Sequence, residues 1–151
     1  MKKLLSFLGL ILFFSAAALG QTDHKKPEKP AVVASEAVRG SAAYAELLLI
    51  KTELESDLDS LLIDYTDEYP KIKESRYRLS LMQRDMERIA VVKPADTGKL
   101  TAALGKLMLR RIELETDLWS LKAKYEDAHP EVKRARRKVE IFDAAIKEIL
   151  G

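Results

Sequence analysis

The densest concentration of one chemistry in this sequence is the run "KRARRK", with Lys133, Arg134, Arg136, Arg137 and Lys138 close together. Clustered cations contact phosphates, carboxylates or an anionic polymer surface. No aromatic residue interleaves the run for base stacking, which argues against single-stranded nucleic acid. Upstream, His129 stands beside Asp127 and Glu131, residue types that can share a divalent metal. The acids Glu53, Glu55 and Asp57 recur as Glu113, Glu115 and Asp117, and carboxylate pairs are common equipment for general acid and base catalysis. "TGKLT" at Thr97 to Thr101 has a superficial likeness to a phosphate loop, but the preceding glycine is missing and no strand leads into it.

Each feature has a structural reading that fits better. The position of His129 is taken by Tyr69 in a sister phrase, so a turn or capping role suits both residues. The recurring acids lie along a polar helix face with no perturbing partner in view, as solvated charges do. "TGKLT" reads as a helix start. The basic run follows an acidic helix and can be ion-paired or solvated, with contact to an anionic polysaccharide, a membrane surface or an acidic partner as the functional alternative. The sequence therefore points to no catalytic residue, no cofactor and no metal, and to a protein that is not an enzyme.

The elements that position these residues come as a unit written twice. Residues Ser41 to Ala90 align without gaps on Thr101 to Leu150, with identities that include Leu47/Leu107, Glu53/Glu113, Leu58/Leu118, Tyr65/Tyr125, Asp67/Asp127, Pro70/Pro130 and Arg76/Arg136. Such density argues for a duplicated structural unit. Apolar residues step by three and four along each copy: Leu47, Leu54, Leu58, Leu61 and Tyr65, then Ile72, Leu79, Met82, Met86 and Ile89. The copy repeats them as Leu107, Leu114, Leu118, Leu121 and Tyr125, then Val132, Val139, Phe142, Ile146 and Ile149. This is the seam of packed helices. Lys51 and Arg111 interrupt the stripe at matching places, each four residues before a glutamate, and read as intrahelical ion pairs flanking the seam.

The repeated phrases "DYTDEYPKI" and "KYEDAHPEV" place a proline inside each helical pattern. Proline is preorganised for the first position of a new helix and disfavours an uninterrupted one, so Tyr65, Asp67, Tyr69 and Pro70 mark one hairpin turn, and Tyr125, Asp127, His129 and Pro130 the other. A proline-kinked long helix is the competing arrangement. Acids concentrate before each proline and bases after it, which a chain folded back on itself can use. The expected helices are Ala42 to Asp67, Pro70 to Val91, Gly98 to Asp127 and Pro130 to Leu150, with Pro94 and a cap at Asp96 or Thr97 starting the third. Trp119, opposite Asp59 in the alignment, reads as core or inter-hairpin packing, with a partner anchor as the reading for an exposed position.

The predicted fold is all-α: two tandem antiparallel helical hairpins, coiled-coil-like, with repeat one at 41–91, a linker at 92–98 and repeat two at 99–151. The pattern accommodates both closure into an elongated four-helix bundle and hairpins that project apart. Residues 1–20, with Lys2, Lys3 and an apolar run, are expected to be a signal peptide cleaved near Gly20. A membrane anchor is the rival, but the run falls short of the roughly 20 apolar residues a span needs. Residues 21–40 form a Lys/Pro-containing spacer that turns helical towards Ser41. Without Lys2 and Lys3 the chain carries 24 bases and 24 acids. There is no cysteine, so an exported chain must hold its fold by its core alone. The expected location is periplasmic or secreted, which removes nucleic acid as a partner.

The phrase "LKAKYEDAHPEVKRARRKVEIFDAAIKEI" resembles the periplasmic coiled-coil region of the chain-length determinant, or polysaccharide co-polymerase, family. The matching positions are Leu118, Leu121, Tyr125, His129, Pro130, Val132 and Val139, and the first copy matches more loosely, with Tyr69 in place of the histidine. The resemblance implies a helical hairpin and a part in polysaccharide assembly or export. Flanking membrane helices, a nucleotide-binding domain and a tyrosine-rich tail are missing, so it implies a free-standing accessory. By its residues alone the chain is an interaction or scaffold protein of the bacterial cell envelope that engages a partner or itself. A periplasmic helical chaperone or stress protein is the alternative.

Overall fold

The computed structural model describes residues 33–151. The expected signal peptide and the first part of the spacer lie outside them. The described chain runs through a short helix α1 (Glu36–Arg39) and four long ones: α2 (Ala42–Asp64), α3 (Pro70–Ala90), α4 (Ala102–Lys122) and α5 (Pro130–Leu150). The long helices pack antiparallel as two hairpins, α2 with α3 and α4 with α5. Both prolines therefore open a new helix after a turn, and neither kinks a continuous one.

Capping explains where the helices begin. The hydroxyls of Ser35, Ser41 and Thr101 accept the backbone N–H of Val38, Tyr44 and Leu104 respectively, each at 3.3 Å. The third long helix starts later than the sequence suggests. Pro94–Lys99 closes into a 3-10 turn instead, in which the Thr97 hydroxyl donates to the Pro94 carbonyl at 2.9 Å and Asp96 pairs with Lys99 at 3.2 Å. Both candidate caps are thus occupied within the turn, and Thr101 takes the role. The first long helix ends at Asp64, short of Asp67, because Tyr65 is extended (φ −127°, ψ 152°).

Tyr77 of α3 meets Trp119 of α4, and Asp85 of α3 meets Arg111 of α4, so these helices are antiparallel and both hairpin turns lie at one end. Helix α4 is central, packing against α2, α3 and α5. The shared core lies in the half away from the turns, where Leu47, Met82, Ile89, Leu104, Met108, Ile112 and Ile146 are fully buried. Nearer the turns, Leu58 and Ile72 of the first hairpin and Val132 of the second are buried outside that cluster. Ala34 and Val38 also enter the core, so the end of the 21–40 stretch is docked. At the crossing of α2 and α4 the helices nearly touch: a Cβ on Gly105 would stand 3.0 Å from the Glu46 Cβ and 3.1 Å from the Ala43 Cα. Among the described residues no helix is long and apolar enough to cross a membrane.

Candidate interaction surfaces

The two hairpin turns are built alike. Tyr65 stacks on Tyr69 with ring centroids 4.2 Å apart, and Tyr125 stacks on His129 at the same separation. Nine residues past each turn aspartate an arginine reaches back: Arg76 to Asp67 at 2.6 Å and Arg136 to Asp127 at 2.8 Å. A flat ring is all the stack requires, which is why histidine can replace tyrosine there. His129 also caps α5, its Nδ1 accepting the Glu131 N–H at 3.2 Å. Tyr65 and Tyr125, the last residues of their stripes, are exposed because they top the turns. Among the described residues no group of three His, Asp or Glu side chains is placed to hold a metal ion.

The basic run is spread around α5. Arg136 belongs to the turn clamp. Arg134 and Arg137 point to solvent and pair within their own helix, to Glu131 at 2.8 Å and Glu140 at 3.2 Å. Lys133 and Lys138 are exposed and make no ion pair among the described residues. Within each hairpin the charge segregation read from the sequence is thus used across the turn only, while between the hairpins Arg84 and Arg78 of α3 meet Glu115 and Glu113 of α4. On α2 the acids Glu53, Asp57, Asp59 and Asp64 are likewise exposed and unpaired within the described structure.

Helix α2 also carries apolar side chains into solvent. Leu48, Leu49, Leu62 and Ile63 are exposed, with Ile63 at 83%. Leu48, Thr52, Glu55, Asp59 and Leu62 follow steps of four and three, so they form a second stripe, apolar at both ends and acidic between. The same spacing on α5 aligns Arg134, Lys138 and Ile141, all exposed.

A third feature escaped sequence reasoning. Arg111 does pair with Glu115 one turn on, as Lys51 does with Glu55, but its guanidinium is buried and its Nη2 donates to Asp85 of α3 at 2.7 Å. Arg84 joins from α3, 2.8 Å from Glu115, and Asp143 of α5 stands 3.5 Å from the Arg111 Nε without satisfying it as a hydrogen bond. Burial pushes the Asp85 carboxyl above its ordinary value against the pull of Arg111, whose charge is shared among three acids. Burial, then Glu115, raises the Tyr77 phenol. Burial works to lower Arg84, but its bond to Glu115 and the charges of Glu115, Asp85 and Asp143 together prevail, and its affinity for the proton rises. The signal was in the repeat: Asp85 faces Ala145 in the alignment and Arg111 faces Lys51, two departures that prove to be partners.

Beside this cluster a cleft of about 390 Å³ opens between α3, α4 and α5, and shares Glu115 and Leu118 with a neighbouring one of about 480 Å³ that reaches the Tyr77–Trp119 stack. The rings are 5.1 Å apart, so Trp119 is an inter-hairpin packing residue. The Asp85 carboxyl is raised, yet its side chain is 2% exposed and occupied by Arg111, so it is not open to a substrate. What the cluster does physically is lock α3 against α4. No protein-family model matches the chain, and no curated protein or solved structure does so either.

Proposed function

We propose that this chain is an exported, non-enzymatic scaffold of the bacterial cell envelope, which binds through the outer faces of its helical hairpins. The observation that carries this reading is α2, where Leu48, Leu49, Leu62 and Ile63 stand in solvent around unpaired acids. Exposed apolar residues in heptad steps are the usual mark of a helix awaiting another helix. The partner is an envelope protein or the chain itself. Lys133, Arg134, Arg137 and Lys138 offer a second contact, to anionic polysaccharide or a membrane surface. A place in polysaccharide assembly or export rests on the resemblance of the second hairpin alone.

The test is a photo-reactive residue at Leu49 or Ile63 in cells that export the protein. A discrete cross-linked product, absent when the probe replaces Gln83 on the α3 surface, supports the scaffold reading. Equal, diffuse labelling from all three positions contradicts it. The same exposed leucines would also suit a chaperone that holds unfolded clients. Suppression of a client's aggregation, lost on Leu49→Asp, would favour that second reading.

A further inference from the structure

Under the sixty-residue repeat, α3 corresponds to α5 and α4 to α2. The two hairpins are joined through α4, which packs against both α2 and α3; the α3-on-α4 part of that interface has as its counterpart α5 on an α2. Within the chain these two share no comparable packing. We propose that α5 of one molecule packs on α2 of a second copy in the way that α3 packs on α4 inside the molecule. The proposal rests on the scaffold reading and names its partner.

At corresponding positions the unformed interface offers an apolar pair and two pairs of opposite charge. Leu81 and Met108 lie in the shared core, 4% and 0% exposed, whereas their counterparts Ile141 and Leu48 are 53% and 44% exposed. An α5–α2 contact of this geometry would bury both. Tyr77 stacks on Trp119, and the corresponding residues are Arg137 and Asp59, of opposite charge. Arg78 stands 3.9 Å from Glu113, and the corresponding Lys138 and Glu53 are again opposite in charge and unpaired within the described structure. Ala43 and Gly105 set the closest approach of α2 to α4; their counterparts Ala103 and Ala45 are exposed, and the Ala45 methyl keeps α4 of one copy from approaching α2 of the next as closely.

The buried lock between the hairpins has no equivalent. The buried Arg111–Asp85 pair maps onto Lys51 and Ala145, which cannot reproduce it. The contact between copies is therefore less tightly locked than the one inside the chain, and its exposed charge pairs make it sensitive to salt. Because the two faces differ, association is heterologous and grows into a ring or an open array, as stacked repeats do.

Sedimentation of the exported protein tests this. Wild type should gain mass with concentration. Leu48→Asp blocks the α2 face and Ile141→Asp the α5 face, so each alone should stay monomeric. An equal mixture should form a dimer and stop there, since each variant keeps the face the other lacks. Circular dichroism checks that both variants stay helical; should either lose helix, Asp59→Arg and Arg137→Asp replace them, each weakening association and the double change in one chain restoring it. A wild type that is monomeric at every concentration overturns the proposal, as does a mixture that fails to dimerise. A monomer that still cross-links through α2 to a different envelope protein overturns it too, while leaving the scaffold reading intact.

Discussion

Arg111 of α4 holds Asp85 of α3 through a 2.7 Å hydrogen bond, with side chains 3% and 2% exposed, and so fastens one hairpin to the other. Removing one partner of a buried pair strands the other, at about 3–5 kcal/mol, whereas replacing both by apolar residues is often neutral or stabilising. Arg111→Met should therefore lower the unfolding free energy by about 3–5 kcal/mol in urea titrations. The double variant Arg111→Met/Asp85→Leu should recover most or all of the loss. Asp85→Ala should cost less than Arg111→Met, since Glu115 and Asp143 remain beside the arginine.

The raised Asp85 carboxyl gives stability a pH dependence of known sign. In the unfolded chain it ionises near 4, and in the folded protein only at higher pH. Between those values the folded state holds the extra proton, so the contribution of this group is full below about 4 and is lost as pH rises through the folded value. Stability of the parent should fall over that window relative to Asp85→Asn, which mimics the protonated form. Parallel profiles for the two proteins would show that Asp85 is not shifted.

The hairpin turns should accept exchange between copies. His129→Tyr restores the residue of the first turn and keeps the stack on Tyr125 while losing the Nδ1 cap, so it should cost about 1 kcal/mol or less. His129→Ala loses both and should cost more. Thermal melts of the two variants make the comparison.

Gly105 is where α2 and α4 come closest, and alanine there already sets contact at 3.0 Å. Gly105→Leu should overpack the crossing and destabilise by about 1–3 kcal/mol, despite leucine's better helix propensity. Gly98, with nothing within 4 Å of an added Cβ, is the control and should tolerate alanine.

What the sequence could reveal was whatever the repeat wrote twice. Each expected stripe residue except the two turn tyrosines is buried or half-buried, and Pro70 and Pro130 each begin a helix, because those positions are fixed by one helix packing on its neighbour. The end of α2 and the 3-10 linker were harder to read. Asp96 and Thr97 suit a cap as well as Thr101 does, and the choice is made by tertiary bonds such as Ala43 N–H to the Leu100 carbonyl at 3.1 Å. Arg111 was missed for a related reason. A charge on a two-helix seam sits at its edge, and it is α3 of the other hairpin that meets it through Asp85. The candidate faces on α2 and α5 became legible only when the structure showed which half of a repeated interface is formed.

The central claim is that the outer faces of α2 and α5 are binding faces. Amide hydrogen exchange of the protein, followed from dilute to concentrated solution, tests it directly because the readout is local. Slower exchange at high concentration is predicted along Leu48 to Ile63 and along Arg134 to Ala145, with the solvent face of α3 unchanged. Exchange in α2 and α5 that is independent of concentration, or a change spread evenly over all four long helices, would contradict the account.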